Sequence, residues 1–154
     1  VRAIVQRVSR AAVDVVQASG ESACVGRIDA GLLVYAAVAP DDGTDDMRYI
    51  ADKTAHLRIF PDEQGKMNLD VGQVGGGVLL VSAFSVQADA RRGRRPSFDT
   101  SASGATAEPL IEALADAVRA HGLKVETGRF AAHMRVESVN DGPICILLDS
   151  RKII

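Results

Sequence analysis

Three stretches of this chain carry residues whose types and spacing could do chemistry. The first is Ser82-Ala83-Phe84-Ser85, two hydroxyls at i and i+3 directly after the apolar run Val78-Leu79-Leu80-Val81. A serine hydrolase would need a Gly-x-Ser-x-Gly elbow with a His and an acid, and the elbow is missing. Free backbone N–H groups where the strand bends would serve a developing oxyanion equally well. The second stretch is Asn140-Asp141-Gly142-Pro143, which breaks the β-prone run from Ser138 to Leu148. Gly142 can take backbone angles closed to other residues, and Pro143 removes a donor and permits a cis bond, so the pair can hold backbone carbonyls in an unusual orientation. Read alone, the segment is an ordinary hairpin turn between two strands, with a functional backbone clamp as the alternative. The third is Arg91-Arg92-Gly93-Arg94-Arg95, four guanidinium groups in five residues. It reads either as a solvated loop paired with Asp89 and Asp99 or as a phosphate-binding patch.

Other chemistry is poorly supported. His56, His121 and His133 stand far apart and show none of the short spacings of a zinc site, so no metal is expected and each reads as a surface or capping histidine. Cys145 could be a nucleophile paired with His133, against the plainer reading of a buried strand thiol. With Cys24 it has neither metal-ligand nor disulfide spacing, which implies free thiols and a reducing compartment. Gly75-Gly76-Gly77 suggests a phosphate cradle, but no Lys-Ser/Thr follows and the next residues are strand-like.

The elements that must position these residues follow from pattern. Residues 3–8 and 12–16 read as two adjacent strands, and beyond the polar stretch 17–22 and the segment 23–28 the apolar run 31–39 suits a central strand buried on both faces. Pro40-Asp41-Asp42-Gly43 ends it, and a helix follows with Met47, Ile50, Ala51, Thr54 and Leu57 at helical spacing, closing near Leu57-Arg58. A strand from Val78 leads into Ser82–Ser85, and a loop through the small residues 100–105 leads to a second helix. That helix begins near residues 106–109, with Pro109 in its first turn, shows Leu110, Leu114, Ala117 and Val118 on one face, and closes at His121-Gly122. Strands at 124–127, 134–139 and 144–148 complete the chain. Runs of strands with only two helices predict an α+β fold.

Length and composition bound the rest. The 154 residues suit a single domain over 1–154 with an aliphatic core, since Trp is absent and aromatics are 4%. Net charge is −2, so any nucleic-acid contact must be local. No apolar run approaches the ~20 residues of a membrane helix, and residues 1–8 lack the layout of a signal peptide. A cytoplasmic protein with no membrane contact is expected.

Together the motifs resemble one family. Val5-Gln6-Arg7-Val8, Gly65-Lys66-Met67-Asn68, Ser82-x-Phe84-Ser85, Gly93-Arg94-Arg95-Pro96-Ser97-Phe98, Thr127-Gly128-Arg129-Phe130 and Val139-Asn140-Asp141-Gly142-Pro143 look like those of the D-aminoacyl-tRNA deacylases, in that order and at matching intervals. The resemblance implies a homodimeric, β-rich domain built on a barrel-like or strongly twisted, mostly antiparallel sheet with two main helices. It implies hydrolysis of the ester between a D-amino acid and the 3′-terminal adenosine of tRNA, without a cofactor. In the family the Gly-Pro peptide is cis and enters the neighbouring subunit's pocket, where its carbonyls hold the substrate's α-amino group and leave no room for an L side chain. Gly142 and Pro143 would be that filter, and glycyl-tRNA should pass it. Ser82, Ala83, Phe84 and Ser85 would form the catalytic segment, with the N–H groups of Ala83 and Phe84 as oxyanion donors and the substrate's 2′-hydroxyl in place of a side-chain nucleophile. Arg7, Phe130 and Met134 match positions that shape or gate the pocket. Arg91, Arg92, Arg94 and Arg95 would meet acceptor-stem phosphates.

The chain departs from the family's usual residues at three positions. Ala83 and Ser85 stand where Gln and Thr are usual, and Cys145 replaces a Thr. If those side chains were essential, the chain would be a tRNA-binding protein of the same fold with weakened or lost catalysis. If the chemistry uses backbone groups and the substrate's hydroxyl, activity survives these changes.

Overall fold

The structure is a computed structural model describing residues 1–153. In chain order the elements are β1 (Arg2–Val16), β2 (Ser22–Ile28), β3 (Gly31–Ala37), α1 (Thr44–His56), β4 (Phe60–Pro61), β5 (Met67–Leu69), β6 (Gly77–Ser82), α2 (Gly104–Arg119), β7 (Val125–Thr127) and β8 (Met134–Asp149), with a 3-10 turn over Phe84–Gln87.

β1 is one long strand where the pattern of residues suggested two. Its first half pairs antiparallel with β3 and its second half with β2, while β8 runs antiparallel along nearly its whole length. The apolar phase changes midway: Val1, Ala3 and Val5 belong to one core, and Val8, Ala11 and Val13 to the other. Ladder shifts against β8 between Gln6 and Val8 and between Val8 and Arg10 mark the bend. A strand that changes cores midway looks like two strands when read locally.

The same bend reshapes the C-terminal segment. Residues 134–139 and 144–148 are not hairpin partners; both pair with β1 inside the single strand β8. Gln6 lies opposite Cys145 and Val8 opposite Asn140, so Asp141, Gly142, Pro143 and Ile144 bulge out of the ladder beside Arg7. The hairpin reading is thus corrected: a turn would need a second strand to pair with, and β1 already occupies that position.

From β1 the sheet continues through β3 to β6 and β7 by parallel pairing, within a sheet whose other pairs are antiparallel. β2 curls over to touch β6 and β7, so the sheet is nearly closed. Inside it lie Val8, Ala11, Val13, Ile28, Leu33, Leu79 and Val81. On the outer face α1 and α2 pack against each other and against Leu32, Val34, Val78 and Leu80. Alternate residues of β3 and β6 thus serve two cores, which accounts for their continuous apolar runs. The triple glycine is structural: a side chain on Gly31 would lie 2.0 Å from Gly77 O, so these strand ends meet only without one.

The first helix runs as its pattern indicated, with Met47, Ile50, Ala51 and Thr54 buried. At its start Asp46 Oδ2 accepts the Gly43 N–H at 2.9 Å. The second begins at Gly104, ahead of the expected start, so Pro109 falls within the helix and not in its first turn. No helix among the described residues is long and apolar enough to cross a membrane.

Candidate active site

β6 delivers the segment expected to be catalytic. Where it ends at Ser82, Ala83 takes φ −146 and ψ 87 and the chain turns into the 3-10 turn. A cavity of about 460 Å³ opens here, between the end of β3, the start of α2 and the segment preceding β8. Ser82, Ala83, Phe84 and Ser85 line it together with Phe130 and Met134. Six of the residues named from sequence therefore meet in one place. The remaining wall is small and apolar, including Ala36, Ala102, Ala107 and Ile111. Among the described residues no carboxylate, imidazole, amine or thiol lines it, so the chemistry they make available is that of hydroxyls and backbone groups.

The backbone donors differ from those expected. Ala83 N–H donates to Ala36 O at 2.9 Å, continuing the pairing of β3 with β6, and is already engaged. The first bond of the 3-10 turn runs from Val86 N–H to Ala83 O at 3.0 Å. That leaves the N–H groups of Phe84 and Ser85 without an internal acceptor among the described residues, as the geometry of a helical first turn requires. Two adjacent free N–H groups at the cavity edge have the geometry that could receive a developing oxyanion.

Neighbouring segments fix the turn. Ser101 Oγ donates to Phe84 O at 3.0 Å, Thr100 Oγ1 donates to Gln87 O, and the buried Gln87 donates through Nε2 to Ala37 O at 3.4 Å. These residues escaped the sequence reading, because each acts through a backbone carbonyl that is distant in sequence. The Phe84 ring, 63% exposed, meets Phe98 edge to face at 4.9 Å and joins the cavity rim to the arginine loop.

That loop is closed by paired backbone bonds between Asp89 and Ser97, with the arginines exposed beyond them. Arg91 is not free: Nε and Nη2 reach the two carboxylate oxygens of Asp89 at 2.9 and 2.6 Å. Hydrogen bonds from Arg91 hold the Asp89 carboxyl well below the usual range. Arg92, Arg94 and Arg95 make no ion pair among the described residues.

Arg7, Gly142 and Pro143 form a second group, outside this cavity's lining. The Gly142–Pro143 bond is cis, and Gly142 has φ +138. Arg7 Nε donates to Asp141 O at 2.9 Å and Nη1 to Ile59 O at 2.6 Å, tying the bulge to the segment that follows α1. Asn140 closes the base of the bulge, its Oδ1 accepting Ile144 N–H at 3.0 Å and its Nδ2 reaching Cys145 Sγ at 3.1 Å. Sequence marked Asn140 only as turn punctuation.

The cysteine reading fails on geometry. Cys145 is exposed, not buried, and pairs with Gln6 near one end of β1, whereas His133 O accepts from Val16 N–H at the other. They cannot act as a nucleophile and its base. Both cysteines are free.

The family model described as D-Tyr-tRNA(Tyr) deacylase matches residues 4–149. A D-aminoacyl-tRNA deacylase from Anaeromyxobacter dehalogenans (strain 2CP-C) is 54% identical over 152 residues, covering 99% of each chain. Another, from Neisseria meningitidis serogroup B (strain ATCC BAA-335 / MC58), is 52% identical over 149 residues, 97% of this chain and 91% of that one. Among solved structures, the c-Myc DNA Unwinding Element Binding Protein aligns with TM-score 0.87 and 31% identity over 97% of this chain and 98% of its own. A probable eukaryotic D-amino acid tRNA deacylase aligns with TM-score 0.78 at 16% identity, over 96% and 97% of the two chains, and shares the fold. By sequence over almost its whole length, the chain belongs to the D-Tyr-tRNA(Tyr) deacylase family.

Proposed function

We propose that this protein hydrolyses the ester bond of D-aminoacyl-tRNA, releasing the D-amino acid and tRNA, in a site built across a homodimer. The observation that carries the reading is a cavity with free backbone donors and no ionisable side chain. Such equipment suits an ester that is already activated. Orientation and stabilisation of the tetrahedral oxyanion are then enough, and a single donor can contribute ~3 kcal/mol. Phe84 and Ser85 N–H supply the donors, Ser82 and Ser85 supply hydroxyls, and the 2′-hydroxyl of the terminal ribose stands in for a side-chain nucleophile. Phe130 and Met134 shape the amino-acid end.

Chirality is read by the partner's Gly142 and Pro143, whose carbonyls hold the α-amino group where an L side chain would collide with backbone. Two facts support a donor from another chain: neither residue borders its own cavity, and among the described strands β8 pairs with β1 alone, leaving its outer edge open. A filter acting by steric exclusion also admits glycyl-tRNA. Ala83 costs little here, since the working N–H groups belong to its neighbours, and Cys145 lies outside the cavity. The acceptor stem approaches from the arginine side. The adjoining groove between α2 and β7 carries Glu108, Glu112 and Asp116 against Arg119 and Arg129, with Arg119 paired to Asp116, a lining that offers phosphate less than the arginine loop does.

Purified protein is expected to hydrolyse D-tyrosyl-tRNA and spare L-tyrosyl-tRNA. Equal turnover of the two would refute the proposal. Tight binding of D-tyrosyl-tRNA without turnover would make the chain a binding protein of the same fold.

A further inference from the structure

Sequence spacing set the three histidines aside one by one, but the fold brings two of them together. His56 closes α1 and His121 follows the end of α2, with ring centroids 5.0 Å apart. Asp52 stands one helical turn before His56, its Oδ1 3.8 Å from His56 Nε2. One ligand atom from each of Asp52, His56 and His121 falls within a cluster no wider than 4.8 Å. Zinc bound to nitrogen and oxygen at about 2.0–2.2 Å separates its ligands by roughly 3–4 Å, within a small rotation of exposed side chains.

A second observation points the same way. The other nitrogen of His56, Nδ1, faces Asp70 Oδ2 at 3.9 Å, and Asp70 is only 21% exposed. Its Oδ1 accepts the Gln73 N–H at 2.9 Å, so the loop after β5 fixes this carboxylate. That separation is longer than a hydrogen bond, and a small rotation of the exposed His56 ring would close it into the carboxylate-backed imidazole that orients a metal-binding histidine.

We propose that Asp52, His56 and His121 bind a zinc ion, with Asp70 as a positioning residue behind His56. Asp52 and His56 belong to α1 and His121 stands just past α2, so the ion cross-links the C-terminal ends of the two helices. Three protein ligands leave a fourth position for water. None of the four residues borders the catalytic cavity, so the ion's role is to stabilise the helical layer.

The test is a zinc titration of the full chain after chelator treatment, followed by calorimetry and thermal melting. One zinc per chain is expected, with Kd on the order of micromolar. The melting temperature should rise by roughly 5–10 °C at zinc a hundredfold above Kd. His121→Ala should abolish the zinc-induced shift while melting like the parent without metal, because His121 is exposed. Asp70→Asn should weaken binding by about tenfold. No saturable binding below about 1 mM would overturn the proposal. So would undiminished binding by His121→Ala, which would assign the zinc to other side chains such as Cys24, Cys145 or His133.

Discussion

Gly142 sits at φ +138, and a Cβ there would lie 2.7 Å from Ile144 Cγ1 and 3.1 Å from Arg7 Nη2. Any L residue is therefore both strained and crowded, and relief must move the bulge or the arginine that holds it. Gly142→Ala should lower D-tyrosyl-tRNA hydrolysis by about a hundredfold, the cost of misplacing a positioned group by about an ångström. The bulge is exposed, so the variant should still unfold cooperatively; a variant with parental turnover would remove Gly142 from the site. This residue was legible in sequence because glycine before proline declares its backbone chemistry by type. The free N–H pair at the cavity edge was legible only to within a residue. That Ala83 N–H is engaged depends on where Ala36 O lies across the sheet, which no local spacing encodes. Ser101 was missed for the same reason, since Phe84 O lies far from it in sequence, whereas the Asn140 contacts are local and only their bulged geometry was hidden.

Between the 3-10 turn and α2, the loop carrying the arginines presents unequal charges. Arg91 is already bound by Asp89, whereas Arg92, Arg94 and Arg95 have no ion-pair partner among the described residues. Because the Asp89 carboxyl is depressed in the folded chain, the pair is intact above the ordinary carboxylate range near ~4 and is lost only as pH falls through the depressed value. At neutral pH Arg91 therefore stays engaged. Alanine at Arg92, Arg94 or Arg95 should weaken D-aminoacyl-tRNA binding and reduce its salt dependence by about one counterion per residue, while Arg91→Ala should do less. Anisotropy titrations at several salt concentrations would decide, and an Arg91→Ala effect equal to the others would contradict this ranking. Elements were legible where local chemistry sets them. The first helix followed from an acidic first turn and apolar spacing, and the run 31–39 read as a buried strand that in the structure ends at Ala37. β1 and β8 were split in two because their bends come from pairing with each other, and the parallel pairing of β3 with β6 left no local mark.

Across the whole molecule, the two halves of the proposed site lie apart within one chain. The cavity belongs to the end of β6, and the Gly142–Pro143 bulge to the middle of β8. The open edge of β8 displays Leu147, 63% exposed, and Val139, 39% exposed, apolar side chains suited to burial against a second copy. Composition said nothing of this; the expectation of a dimer came from family resemblance. The most direct measurement mixes two inactive variants through joint unfolding and refolding. Gly142→Ala spoils the filter. Phe84→Pro deletes a donor N–H, and the preceding Ala83, at φ −146 and ψ 87, is clear of the helical region that a residue before proline avoids. A cross-subunit site leaves one intact site in each mixed dimer, so an equal mixture should recover about a quarter of parental D-tyrosyl-tRNA hydrolysis and leave L-tyrosyl-tRNA intact. Mixed dimers that form but remain as inactive as either variant alone would contradict a site shared between chains.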